Sequence, residues 1–377
     1  MNWLYTTRLA CLLLLLVVGS CVDPYRPPEI SSPESYLVVS GFFNSTPGAS
    51  TAIRLSRTQN LTDNKTPILE TKAQVTIESK GKTNYVLTEG SSATYTLAGI
   101  TPQAGEMYRL HIRTARGSEY YSDYVPVVKS PPIDSVSWRI DEENVQINVN
   151  THDPTNNTRY YRWDYDETWE YKAIFNSLFE LKSNEVINRQ ESLYNCWSSG
   201  ASTNIITTST TRLSKDIVSQ FPVAYIPGSS PKFGIKYSIL VKQMALTQAG
   251  FNYYDQLAKL TQNIGSVFDP QPTQITGNIH SATNESELVM GFFRVGSVET
   301  KRIFIANSQL PKWPPYYGDG GCLLDTLLID QVRKNQSFIV TTWQPPPGTT
   351  IFYLTTTQTC MDCRLRGGTN KQPDFWK

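Results

Sequence analysis

The 377 residues carry 34 Lys and Arg against 33 Asp and Glu, a formal net charge of +1, with no basic run. So balanced a chain argues against a nucleic-acid or polyanion partner. Only 18% of residues are charged, while Ser, Thr, Asn, Gln and Tyr are plentiful, a mix suited to twisted sheets with polar outer faces.

Arg8 precedes an apolar run from Leu9 to Val18, too short to cross a bilayer but of the length of a signal-peptide core. Val18-Gly19-Ser20-Cys21 then resembles a bacterial lipobox. On that reading residues 1–20 are a leader, removed together with Cys11, and Cys21 is lipidated as the first mature residue. Several acyl chains would give durable membrane attachment. Residues 21–35, rich in Pro and Ser after Cys21, form a flexible tether.

Residues 36–128 hold β-rich runs every 8–15 residues: YLVVSGFF (36–43), TAIRLS (51–56), AQVTIES (73–79), TNYVLTE (83–89) and ATYTLAGI (93–100). A hairpin over 107–127 turns at Arg116-Gly117. This spacing predicts an immunoglobulin- or fibronectin-like sandwich. KSPPIDS (129–135) is the expected linker, because paired prolines stop ladders and helices. Residues 136–377 predict a larger β-rich domain, with strands at 135–140, 145–150, 160–171, 233–245, 273–280, 288–295, 302–307 and 336–343. The fold class is mainly β, with one amphipathic helix over 247–264. There Phe251, Tyr254, Leu257, Ala258, Thr261 and Ile264 share most of one face, Thr247 is the N-cap and Gly265 the stop.

Enzyme signatures are missing from the sequence. His111, His152 and His280 are not at metal-ligand spacing, and the nucleophile elbow, phosphate loop and dinucleotide fingerprint do not occur. DYDETWE (164–170) and DEEN (141–144) lack calcium-loop spacing. A non-enzymatic protein without metal or cofactor is expected. Aromatic residues offer the stronger signal, since exposed rings stack on sugars and other flat ligands, although most such rings fill cores. Tyr316 and Tyr317, in PPYYGDGG, and nearby Trp313 are the ligand-binding candidates.

Four cysteines follow the anchor: Cys196, Cys322, Cys360 and Cys363. In an oxidising envelope thiols become disulfides, and four cysteines allow three pairings. A zinc site lacks a second close pair, and a redox CxxC lacks a following helix. The expectation is a staple, with at least one of Cys360 and Cys363 joined to Cys322 or Cys196.

The lipobox, YLVVSGFF, YYRW (160–163), YSILVKQMALTQAGFNYYDQL (237–257), GSVFDPQPTQITGNIH (265–280) and CMDCRLRGGTNKQPDFW (360–376) carry a family resemblance. The chain resembles a Bacteroidota outer-membrane lipoprotein family catalogued as domain of unknown function 4249. The resemblance implies no assigned activity and transfers no catalytic residue. It implies attachment to the outer membrane and work beside a TonB-dependent receptor, as a ligand-capturing or capping accessory. The alternatives are a stand-alone glycan- or peptide-binding module and a structural envelope protein. Asp134-Ser135-Val136 and Asp325-Thr326-Leu327 also resemble the O-glycosylation acceptor pattern of that phylum, making Ser135 and Thr326 candidates.

Overall fold

The computed structural model describes residues 35–59, 66–262, 275–313 and 321–377. The expected leader, most of the tether and Cys21 lie outside these residues. The protein is mainly β, and the strand alternation explains why. In Thr51–Arg57 the residues Thr51, Ile53 and Leu55 are buried, while Ala52 and Arg54 face solvent. In Met107–Arg113 the buried set is Tyr108, Leu110 and Ile112. Burial with a period of two is what a sheet covered on one face requires.

Two antiparallel sheets make the first sandwich. One is built on Leu37–Asn44, Thr51–Arg57 and Thr94–Leu97. The other joins Asn84–Val86, Gln74–Ser79, Met107–Arg113 and Glu119–Ser122. Their inner faces share one core, in which Phe43 meets Tyr108 edge-on at 5.3 Å.

Residues 36–128 do not complete this sandwich. Val295–Gly296 runs parallel to both Phe43–Asn44 and Val127–Val128 and so links the two sheets. Val289–Met290 adds in parallel beside Leu37–Val38, and Ile279–Ser281 pairs antiparallel with Tyr120–Ser122. The sequence pattern places 273–280 and 288–295 in the second block, and this placement is corrected. Alternation shows which face of a strand is buried, not which sheet takes it. The run LVMGFFRV also breaks into two short strands at Gly291, whose φ is +136°. A Cβ there would collide with the Val39 carbonyl oxygen. Asn278 holds the segment from behind, accepting from the Phe293 N–H at 2.8 Å and donating to the Phe293 carbonyl at 2.9 Å.

The expected linker is tied down in part, with Ser130, Pro131 and Ile133 buried and Lys129, Pro132 and Asp134 exposed. Ser130 donates through Oγ to the Ser297 carbonyl at 2.7 Å, and its N–H donates to Ser297 Oγ at 2.9 Å. Beyond it, Ile133–Asp141, Asn144–His152 and Ile217–Pro227 form a three-stranded sheet. This packs on a second sheet ordered Asn195–Ala201, Tyr160–Lys172, Lys236–Ala245, Val298–Ala306. Trp163 lies fully buried between them, and its indole N–H donates to Gln243 Oε1 at 3.0 Å. The long helix spans Gln248–Gln262, and Thr247 Oγ1 caps it by accepting from the Gly250 N–H at 3.1 Å. Two short helices, Ile329–Asn335 and Gln358–Met361, join the one expected from sequence. Neither has enough turns to leave a periodic signature.

Two outcomes test this architecture. Gly291→Ala should destabilise the protein by roughly 1–3 kcal/mol or more in urea unfolding, because a non-glycine residue is strained at that φ and has no room; an unchanged midpoint would contradict the docking described. Asp153 is the second case. Burial opposes its ionisation, but hydrogen bonds from Thr155 and Thr158 outweigh burial and hold its carboxyl at about 2. A depressed carboxylate stabilises the fold above its unfolded value of about 4 and loses that contribution as pH falls through 2. Between those pH values the wild type should lose more stability than Asp153→Asn.

Candidate binding surface

The C-terminal segment is pinned to the second block by both terminal cysteines. Cys363 bonds Cys196, and Cys360 bonds Cys322, with Cα–Cα separations of 5.8 and 5.7 Å. Sulfurs so bonded are neither thiolate ligands nor nucleophiles. Around them the backbone is tightly held. The Tyr171 hydroxyl donates to the Cys363 carbonyl at 2.8 Å, and the Cys363 N–H donates to the Leu193 carbonyl at 3.0 Å. Trp197 and Thr369 exchange two backbone hydrogen bonds of 2.8 and 2.9 Å. Gly368 is required at this approach, since a Cβ would strike the Tyr171 hydroxyl and the Trp197 carbonyl. Trp376 closes the tail, edge-on to Trp197 and to Phe304. Asp362 accepts from the Arg364 side chain and N–H, and those bonds pull its carboxyl below the usual range.

Between the disulfide-bonded cysteines lies a three-stranded sheet ordered Asp325–Leu327, Phe352–Thr356, Phe338–Trp343. Directly opposed residues share a face. The register pairs Trp343 with Phe352, Thr341 with Leu354, Phe338 with Thr356, and Thr326 with Leu354. All of these therefore lie on one side. On that side Trp343 is 52% exposed and Phe338 39%, while Phe352, Leu354, Thr341 and Thr356 are half-buried. The Trp343 and Phe352 rings are 5.7 Å apart. On the other side Ile339 and Thr355 are buried, whereas Asp325 and Thr342 are exposed. A bulge at Val340 lets two consecutive residues, Ile339 and Val340, both turn inward. Leu323, Leu324, Leu328 and Ile351 are exposed in the same segment. The result is an aromatic, threonine-flanked face on a cross-linked support. Adjacent exposed apolar residues of this kind mark interaction sites.

The sequence candidates fall unevenly on this picture. Cys196, Cys322, Cys360 and Cys363 come together as expected. Tyr316, Tyr317 and Cys21 lie outside the described residues. Trp313 is half-buried against the second core, with its ring over Gly228. Ser135 sits in a strand and accepts from Asn150 Nδ2 at 2.9 Å, whereas Thr326 is exposed at the aromatic sheet. The three histidines stay apart, each against its own carboxylate: Glu78, Asp134 and Asp123. Phe338 and Phe352 are the residues that the sequence pattern does not single out. FIVTTW and FYLTT carry no strict alternation of aromatic and polar residues, so neither run shows which face stays open.

Stability should separate the two roles of tryptophan. Trp163→Ala should cost roughly 3–5 kcal/mol, as for a core aromatic, and Trp343→Ala roughly 0.5 kcal/mol or less. A large loss at Trp343 would show that its ring packs rather than presents. Paired Cys→Ser replacement should cost about 5 kcal/mol at Cys196–Cys363 and about 4 kcal/mol at Cys322–Cys360, because the first bridge closes the longer loop. The reverse order in denaturant unfolding would contradict this account of the tail.

Comparison with the curated proteins finds no match. A family model described as "Domain of unknown function (DUF4249)" matches residues 22–302. That match covers the first block, part of the second and the segment that returns to the first sandwich, and ends within the strand Val298–Ala306, before the aromatic sheet begins. The chain belongs to the DUF4249 family.

Proposed function

We propose that this protein is a non-enzymatic, lipid-anchored protein of the outer membrane that captures ligand for, or caps, a TonB-dependent transporter. The observation that carries the proposal is the pair of exposed rings Phe338 and Trp343, beside half-buried Phe352, on a sheet held by two disulfides. Partner-binding surfaces are enriched in Trp and Phe and depleted of charge at their centre, and a rigid support limits the entropy lost on docking. The residues flanking these rings on that face are Thr326, Thr341 and Thr356, which carry no charge. The anchor rests on the Val18-Gly19-Ser20-Cys21 pattern, and the transporter on the family resemblance.

A second use of the same face is favoured by Trp343, whose exposed ring stands beside threonine hydroxyls. Such a surface suits a glycan or peptide bound without any transporter.

Site-specific photo-crosslinking in cells distinguishes these uses. A photoreactive residue at Trp343 should capture an outer-membrane barrel, while one at exposed Tyr225, on the three-stranded sheet of the second block, should not. Capture from neither position, with glycan retention by the purified protein that Trp343→Ala abolishes, would replace the transporter by the stand-alone binder. Neither capture nor retention would leave an envelope component and defeat the proposal.

A further inference from the structure

The first sandwich carries a hollow of mixed character where the described chain begins. Its volume is about 410 Å³, and Ser35, the first described residue, lines it. Arg57 and the stretch from Ile68 to Lys72 line it from one sheet. Arg116 lines it from the turn between Met107–Arg113 and Glu119–Ser122. Hollows of this size hold small molecules.

The charges that line the hollow do not balance. Glu70 is its one carboxylate, and that group is already held by Arg57 at 2.6 Å. Arg57 also lies 3.6 Å from Glu287, outside the lining. Lys72 and Arg116 are exposed, and their side chains enter no ion pair among the described residues. Glu89 accepts from the Lys72 N–H at 2.9 Å but does not line the hollow. Two unpaired cations therefore face it. Beside them stand Ile68, 51% exposed, and Leu69, 36% exposed, on a two-residue strand paired with Ser56 and Arg57. Aliphatic side chains left in water and flanked by Lys and Arg suit an anionic membrane surface. The apolar groups enter the headgroup boundary while the cations meet phosphate.

We propose that this hollow docks the protein on the membrane by taking the phosphate-bearing headgroup of one anionic phospholipid. Lys72 and Arg116 meet the phosphate, and Ile68 and Leu69 lie against the first methylenes of the acyl chains. That a membrane is at hand rests on the anchor proposed at Cys21. Fully extended, residues 22–35 span roughly 50 Å at most, so the anchor would keep Ser35 within that distance of the bilayer. The hollow beside Ser35 is thus the part of the sandwich that the tether holds nearest to lipid.

The test is co-sedimentation of residues 21–377 carrying Cys21→Ser, with both disulfides formed, so that no anchor contributes. Vesicles of phosphatidylglycerol and phosphatidylcholine in equal parts should retain this protein, and phosphatidylcholine alone should not. Retention should weaken as salt is raised. Lys72→Glu combined with Arg116→Glu should lower the affinity by about tenfold or more. Ile68→Ser combined with Leu69→Ser should also lower it, and urea midpoints check that each variant is folded. Should a variant not fold, the dependence of the unsubstituted face on lipid and salt still decides. Equal retention on both vesicles, or none on either, would overturn the proposal. Displacement by dissolved inorganic phosphate at matched ionic strength, with no effect of the Ile68 and Leu69 changes, would assign the hollow to free phosphate and overturn it too. The mass of the N-terminal peptide from native membranes reports acylation of Cys21 separately, so loss of the anchor reading and loss of this docking site are distinct results.

Discussion

The parallel insertion of Val295–Gly296 between Phe43–Asn44 and Val127–Val128 is the contact on which the rest of the architecture depends. Without it, each sheet of the first sandwich presents an unpaired backbone edge, which costs free energy and invites pairing with other chains. The chain thus leaves the first block at Val128, builds the sheets of the second, and comes back to finish what it began. Gly296 permits this closeness, because a Cβ would crowd the Val128 carbonyl. The Ser130–Ser297 hydrogen bonds then lock departure and return together. The two blocks are one folding problem, dominated by pairings distant in sequence, which are slow to form.

Much of the local structure was legible in the sequence. Alternation in TAIRLSR and MYRLHIR marks half-buried strands, and Thr247 before an apolar helical stripe marks a helix start. The cysteines read as staples once an oxidising compartment was expected from the pattern of residues 8–21, and the two bridges are formed. Strand partnership was not legible. LVMGFFRV is apolar on both faces because it lies between elements, and such a run carries no address. The paired prolines at 131–132 read as a loose boundary, yet the Pro131 carbonyl accepts from buried Gln243 at 2.7 Å.

The aromatic residues show the same division. Tyr161 and Trp163 alternate on one strand and both are buried, their rings stacked at 5.6 Å. Trp197 and Trp376 anchor the tail. Composition alone therefore overstates the binding surface, and register is what separates packed rings from presented ones. The presented ones, on the sheet formed by residues 325–356, lie beyond the residues matched by the family model, so family membership does not by itself account for that face. Its rigidity comes from the chain's own two bridges, and its attachment runs through the second block to a sandwich completed by the returning segment.

The dependence of the first sandwich on that return is open to direct measurement. Residues 35–131 are expressed alone and, separately, joined through a flexible linker to residues 275–300. Equilibrium urea unfolding is followed by near-ultraviolet circular dichroism. The fused form should unfold cooperatively, and residues 35–131 alone should show no cooperative transition. A cooperative transition of equal midpoint in both would contradict the account, because the first block would then be complete without residues 275–300.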